Sequence, residues 1–253
     1  LTGGVLKSDG FIRWSEPELV LFDPNPAIRM SYPDLIEQSG RFWLTETQKS
    51  AARVHALDRS LLEGLWNQAS ASSVCTNGLL LEKRQSGDDQ SRPAVPKGFG
   101  DLSLGGLTVE LWFQLESGAP GQTLFSSQEK DGRGVRVITS EMGSQATVAI
   151  ELCDGSRVAL WQTDPGAVQS GKLHHAVFIC DFSAAVISVI ADGVFLDGGA
   201  VRQYGWGRIP LEMGEVKGSF HGLVSPLVKT LRLYDRALLT SEAVGNFRAG
   251  AAK

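Results

Sequence analysis

The chain has 253 residues, of which 42% are hydrophobic and 21% charged, an ordinary globular composition that excludes extended disorder. A net charge of −4, with lysine and arginine scattered, predicts neither a nucleic-acid partner nor an anionic membrane surface. The longest apolar run, 184–191, is far too short to cross a bilayer, so no membrane partner is expected.

Residues 1–67 contain short strand-like runs and one helical candidate at 60–66. Ser60 is its expected N-cap, and Leu61, Leu62 and Leu65 form its apolar face. The next stretch, 68–77, is rich in small polar residues and is predicted to be a linker.

From residue 78 onward the pattern is strand, turn, strand. The clearest strand is LTVELWFQL at 107–115, where apolar and polar residues alternate, which predicts a half-buried strand. Its two faces are Leu107, Val109, Leu111, Phe113 and Leu115 on one side, and Thr108, Glu110, Trp112 and Gln114 on the other.

Later runs are separated by turn signals such as Asp154-Gly155 and Asp192-Gly193, which favour hairpins. Many short strands without intervening helices predict an antiparallel β-sandwich. A short helix is expected near the C-terminus, capped by Thr240 or Ser241.

Cysteine usage leaves the redox compartment open. Cys75, Cys153 and Cys180 cannot all pair within one chain, and no spacing predicts a zinc site. Because two of them lie in apolar runs, buried thiols are favoured over a disulfide.

Four segments in order resemble the laminin-G-like, concanavalin A-like jelly roll: LTVELWFQL, KLHHAVFICD, VISVIADGVFLDG and VKTLRLYDRALLTSEAV. The resemblance covers about 78–253 and implies an all-β fold, an antiparallel β-sandwich with a short C-terminal helix.

The front segment, 1–67, resembles the closing part of an Asp-box sialidase-like β-propeller. SDGFIRWSEPELVLFD is similar to a degenerate Asp box, and SYPDLIEQSGRFWLTET is similar to a blade hairpin that turns at 38–40. We therefore expect a partial propeller blade packed on the sandwich, in the C-terminal part of a larger sialidase-like or glycoside-processing protein. The resemblance also favours an extracellular or periplasmic location.

This second resemblance implies candidate catalytic residues. Tyr32 occupies the place of the sialidase nucleophile, Glu46 could supply a carboxylate, and Arg29 and Arg41 could supply cations. The alternative is that Tyr32 only packs the hairpin. Since the other catalytic groups would come from blades that this segment lacks, we expect no glycosidase activity from this chain alone.

Carbohydrate binding is the favoured function. Exposed aromatic rings can stack on sugars while amides and carboxylates bind the hydroxyls. The candidate residues are Trp112, Glu110, Gln114, Trp161, Tyr204, Trp206 and Arg208. Alternatively, the aromatic residues cover the second sheet face or dock the front segment, and the chain is a protein-interaction module without sugar affinity.

A calcium ion is a further possibility, because related jelly rolls bind Ca²⁺ through loop oxygens. Asp154, Asp181, Asp192 and Asp197 lie near predicted strand ends. Asp154 and Asp192 are equally explained as turn residues.

Overall fold

The computed structural model describes residues 1–23, 25, 28, 30–48, 50–85, 92–202 and 204–251. The front segment contains β1 (Gly4–Leu6), β2 (Ile12–Trp14), β3 (Ser31–Gln38), β4 (Arg41–Thr47), β5 (Ala52–Leu57) and α1 (Arg59–Asn67). The first strands of the following part are β6 (Leu79–Arg84), β7 (Gly106–Gln114), β8 (Thr123–Ser126), β9 (Gly134–Met142), β10 (Gln145–Cys153) and β11 (Val158–Gln162). The chain continues with β12 (Leu173–Asp181), β13 (Val186–Ala191), β14 (Val194–Phe195), β15 (Trp206–Arg208), β16 (Leu223–Val224), β17 (Val228–Tyr234) and α2 (Thr240–Ala249).

Two antiparallel sheets form a sandwich. One is seven-stranded, in the order β14-β13-β12-β7-β17-β6 with β15 beside β13, and the other is five-stranded, in the order β11-β10-β9-β8-β16. The predicted all-β fold, an antiparallel β-sandwich with a short C-terminal helix, is confirmed. The predicted turn at Asp192-Gly193 joins β13 to β14 with positive φ angles of 49° and 79°, the conformation of a two-residue hairpin turn.

The main core lies between the sheets. The predicted inner face of β7, including Leu107, Leu111 and Phe113, is fully buried there. Val137 of β9 and Ile150 of β10 meet it from the five-stranded sheet. Alternation along each strand therefore directs the apolar residues into one shared core.

The outer face of the seven-stranded sheet is also buried, so the prediction that β7 is half-buried was wrong. Helix α2 packs over this face, with Ala243 and Val244 against Val177, Ile179 and other strand residues in a second core. The physical reason is that a sheet face covered by an amphipathic helix is closed to water although its strand alternates in sequence.

The front segment forms its own three-stranded antiparallel sheet, β3-β4-β5. The hairpin turns at Ser39 and Gly40, both with positive φ, as predicted. Helix α1 begins one residue earlier than expected and its N-cap is Asp58, whose carboxylate accepts from the Ser60 amide at 2.8 Å. Asp58 fits better because a cap must precede the first helical turn.

Two glutamates of the front segment bind the sandwich. Glu16 accepts a hydrogen bond from the Phe195 amide at 2.8 Å, and Glu18 accepts one from the Thr240 amide at 2.7 Å. Glu18 therefore caps α2, and neither Thr240 nor Ser241 does so as predicted. The supposed caps instead lie inside the helix that they were expected to precede.

The remaining expectations concern the domain boundaries, the cysteines and membrane-spanning helices. The division at 1–67, 68–77 and 78–253 stays a prediction. Cys153 and Cys180 are buried free thiols, and Cys75 is a partly exposed one. Within the described residues, no helix has the length and apolar character needed to cross a membrane.

Candidate functional site

Glu110, a predicted sugar-binding residue, lies instead at the centre of a buried polar network. It is 1% exposed on the outer face of β7. Its carboxylate contacts Arg232, accepts from the Asn246 amide at 2.6 Å and the Tyr234 hydroxyl at 3.2 Å, and lies 3.1 Å from His175 Nε2. Burial alone would raise its pKa, but the bond to His175 and the charge of Arg232 hold that pKa below its ordinary value.

Trp112 is buried by the same arrangement. It is 7% exposed, and its ring stacks on Phe247 of α2 with centroids 5.7 Å apart and planes 14° apart. The expectation that Trp112 is open to solvent was therefore wrong, because α2 covers the face on which it lies. Gln114, next along this face, is exposed at the strand end, where its side-chain amide donates to the Gly171 carbonyl at 2.9 Å.

The other predicted aromatic residues come together where β15 joins the edges of the two sheets. Trp161 on β11 lies against the backbone of Gly207, and the guanidinium carbon of Arg202 is 4.2 Å from its ring centroid. Trp161 is partly buried and packs on the main core. Its contacts support the loop before β15 and leave it less available than Tyr204 for a ligand.

Tyr204, Trp206 and Arg208 form, with Phe22, a surface cluster that we call the aromatic edge. The rings of Tyr204 and Trp206 are 5.4 Å apart, and Tyr204 is 43% exposed. Phe22, from the front segment, meets Trp206 edge-on at 6.1 Å. The guanidinium carbon of Arg208 lies 5.7 Å from the Phe22 centroid, within cation–π range.

An ion pair holds the loop that carries Tyr204. Asp164 binds the Arg202 guanidinium and accepts from the Gly198 amide at 3.1 Å. Arg202 also donates to the Gln162 carbonyl at 2.9 Å. These contacts restrain Gly198 and Arg202, two described residues of the glycine-containing segment that precedes Tyr204.

The candidate catalytic residues do not form one site. Tyr32 is 83% exposed at a β-bulge, with φ of 50°, opposite Glu46. Arg41 lies at the other end of the hairpin, roughly 17 Å along β4 from Glu46 at about 3.4 Å per residue. Since strands are stiff, Arg41 cannot act beside Tyr32. Arg29 lies outside the described residues.

Glu46 is fully buried rather than open to a substrate. Its Oε1 is 3.2 Å from the Arg53 guanidinium and 3.8 Å from His55 Nε2. Its Oε2 has no hydrogen-bond partner among the residues that the structure describes. Arg53 on β5 therefore supplies the countercharge for this carboxylate inside the front sheet.

The aspartates considered for calcium occupy separate turns. Asp154 accepts from the amides of Ser156, Arg157 and Gly214; these bonds, the one from Gly214 foremost, hold its pKa well below its ordinary value. Asp181 accepts from the amides of Ser183 and Ala184. Asp192 accepts from the His175 amide and pairs with His174. Asp197 accepts from the Gly199 amide.

These bonds use the oxygens that a metal would need. Among the described residues, no group of three or more histidine, cysteine or acidic side chains could hold a metal ion. The calcium site expected from Asp154, Asp181 and Asp192 is thus not assembled, because each carboxylate lies in its own turn and binds local backbone amides.

Comparisons with known proteins place the chain in no family. No family model matches it, and no curated protein matches it. The CBM40 domain of the Ruminococcus gnavus IT-sialidase, solved with α2,3-sialyllactose, is 15% identical with a TM-score of 0.42 and is covered over 97% of its length by 66% of this chain.

Two further structures have similar scores. The leech intramolecular trans-sialidase with 2,7-anhydro-Neu5Ac is 15% identical, with a TM-score of 0.42 over 70% of this chain and 29% of that one. A SAP-like pentraxin from Limulus polyphemus is 12% identical, with a TM-score of 0.35 over 68% and 77%. All of these TM-scores are below 0.5, so the fold described above rests on the strands and register of this chain itself.

Sequence reasoning missed three contributors to the aromatic edge. Phe22 is some 180 residues from Trp206 in sequence, and no local pattern connects them. Arg202 and Asp164 were also missed, although an arginine beside a tyrosine and tryptophan in a glycine-containing loop was a usable signal for a cation–π contact.

Proposed function

We propose that this chain is a carbohydrate-binding accessory domain with no catalytic site of its own. The observation that carries the proposal is the exposed ring of Tyr204, which lies 5.4 Å from Trp206 in a cluster that also contains Arg208, whose guanidinium carbon is 5.7 Å from the Phe22 centroid. An aromatic surface with a hydrogen-bond donor nearby suits a sugar ring, which has apolar faces and a polar rim.

The carboxylates of the described sandwich support a binding role over hydrolysis. Most glycosidases, apart from those with a tyrosine nucleophile, cleave with two carboxyl groups that face one cleft. Glu110 is sequestered under α2, and Glu151 is bound to Arg136 with an Oε2–Nε distance of 2.8 Å on the opposite sheet. Neither is therefore free to act as an acid or a nucleophile.

The same proposal includes three more specific assignments of fold type, origin and location. They are the laminin-G-like, concanavalin A-like jelly roll for 78–253, the Asp-box propeller origin of 1–67, and an extracellular or periplasmic location within a glycoside-processing protein. The strand motifs quoted from the sequence support the first, and the β3–β4 hairpin at the expected position is consistent with the second.

Glycan-array screening followed by calorimetric titration of the best ligand tests the proposal. Tyr204→Ala is expected to weaken binding by about 5- to 150-fold, equivalent to roughly 1–3 kcal/mol for a lost aromatic contact. Because Tyr204 is exposed, its loss should leave the melting temperature unchanged. Arg208→Ala should weaken binding without a change in fold.

Tyr32→Ala is the matched control, since it removes another exposed tyrosine from a different surface. It should bind glycan like the unaltered protein. The proposal fails if no glycan binds, or if Tyr204→Ala and Tyr32→Ala have equal effects. Turnover of a fluorogenic sialoside that is lost in Tyr32→Phe would instead establish the glycosidase alternative.

A further inference from the structure

The outer face of the five-stranded sheet carries a continuous row of side chains. Leu223, Ser126, Arg136, Glu151 and Leu160 lie directly opposite one another across β16, β8, β9, β10 and β11. Helix α2 covers the other sheet, so this face is the open one of the sandwich. A groove runs over its β8–β16 end.

This groove has a volume of about 500 Å³. A second depression of about 340 Å³ continues it, because Arg92, Thr123 and Leu223 line both. Each volume lies within the range typical of small-molecule sites, about 300–1,000 Å³. The two depressions therefore form one continuous surface groove.

Among the described residues that line the groove, cationic side chains outnumber carboxylates. Arg92 lies in the connection between β6 and β7, Lys130 lies in the β8–β9 hairpin, and Arg136 projects from β9. Glu129 is the one carboxylate among the lining residues that the structure describes. A cationic groove on a protein with a net charge of −4 is a local concentration of positive charge.

Two of these cations have unused binding capacity. Arg136 is already neutralised by Glu151 through the 2.8 Å bond. Arg92 and Lys130 are exposed and form no hydrogen bond or ion pair with other described residues. A guanidinium and an ammonium that line the same groove can both pair with negative groups of one ligand.

We propose that this groove binds an anionic saccharide, whose carboxylate or sulfate groups pair with Arg92 and Lys130. The remaining lining favours a saccharide over other polyanions, because hydroxyls of Thr123, Ser126 and Ser219 can exchange hydrogen bonds with sugar hydroxyls. The groove lies at the β8–β16 end of the five-stranded sheet, whereas the aromatic edge is carried by β15 of the seven-stranded sheet, so this inference does not depend on the aromatic edge.

Calorimetric titration with defined oligosaccharides tests the inference. The probes are an oligogalacturonate, a heparin-derived sulfated oligosaccharide and a neutral cello-oligosaccharide of equal length. At least one anionic probe should bind more tightly than the neutral one, and its affinity should fall as salt is raised. The stronger of the two anionic probes identifies carboxylate or sulfate as the recognised group.

Arg92→Ala and Lys130→Ala should each weaken the anionic ligand about tenfold, because each removes one charged contact. Arg59→Ala is the matched control, since it removes an exposed arginine on α1 and should leave the affinity unchanged. Equal binding of the neutral probe, or equal loss in Arg59→Ala, overturns the inference. So does duplex DNA that binds at least as tightly as the saccharide. Tyr204→Ala should not affect this binding, so failure here is separable from failure at the aromatic edge.

Discussion

Replacing Glu18 with glutamine is expected to stabilise the protein at alkaline pH and to lose that advantage in acid. Glu18 lies at the contact between the front segment and α2, where it accepts from the Thr240 amide at 2.7 Å and the Thr240 hydroxyl at 3.3 Å. Burial is the main cause that raises its pKa to about 7, and the nearby carboxylate of Glu242 raises it further. The bonds from Thr240 oppose this shift but do not cancel it.

The magnitude follows from the two pKa values of Glu18. Its ordinary value is 4.5 and its folded value is about 7. Because the folded value is the higher one, the stability contribution is complete below pH 4.5 and is lost as pH rises through 7. The two pKa values differ by about 2.5, which corresponds to about 3 kcal/mol of unfolding free energy at 1.36 kcal/mol per pKa unit.

Urea denaturation of both proteins at pH 4.5 and pH 8.5 measures this effect. Glutamine keeps the oxygen that accepts from Thr240, and it carries no charge at either pH. The buried glutamine amide lowers the free energy of unfolding by an amount that does not depend on pH. The informative quantity is therefore how the difference in unfolding free energy between the variant and the unaltered protein changes from pH 4.5 to pH 8.5. That difference should move by about 3 kcal/mol in favour of Glu18→Gln between the two pH values.

Glu63→Gln provides the control, because Glu63 is an exposed carboxylate on α1 whose ion pair with Arg59 is screened by solvent. A stability difference for Glu18→Gln that is the same at both pH values would refute the reasoning. A change of opposite sign would show that the carboxylate is stabilised, rather than desolvated, at this contact.

Three further predictions concern the sandwich. Trp112→Ala should lower the free energy of unfolding by roughly 3–5 kcal/mol in denaturation experiments, because it removes the stack on Phe247, and should leave glycan binding intact. Glu110→Ala should cost about 3–5 kcal/mol, because it removes one of the two carboxylates that pair with buried Arg232 and the acceptor of the Tyr234 and Asn246 donors; a melting temperature close to that of the unaltered protein would contradict this. Gly207→Ala should cost about 1–3 kcal/mol and weaken glycan binding, because the new methyl group would lie 2.8 Å from the Trp161 indole; unchanged affinity would disconnect this contact from the site.

Local sequence determined much of the strand architecture. The alternation at 107–115 predicted a strand, and β7 covers Gly106–Gln114 with Leu107, Leu111 and Phe113 in the core. The Asp192-Gly193 pair predicted a hairpin that the structure contains. These features depend on neighbouring residues, since side-chain period and turn conformation are properties of a few consecutive positions.

Only the tertiary structure decided which of the polar strand faces remained open. Glu110 and Trp112 read as a solvent-facing pair, yet Asn246 and Phe247 from α2 cover them. In the same way, the cap of α2 comes from Glu18, and the ring beside Trp206 comes from Phe22. Each partner is more than a hundred residues distant in sequence. Period and propensity describe a strand by itself, whereas burial depends on which distant element packs against it.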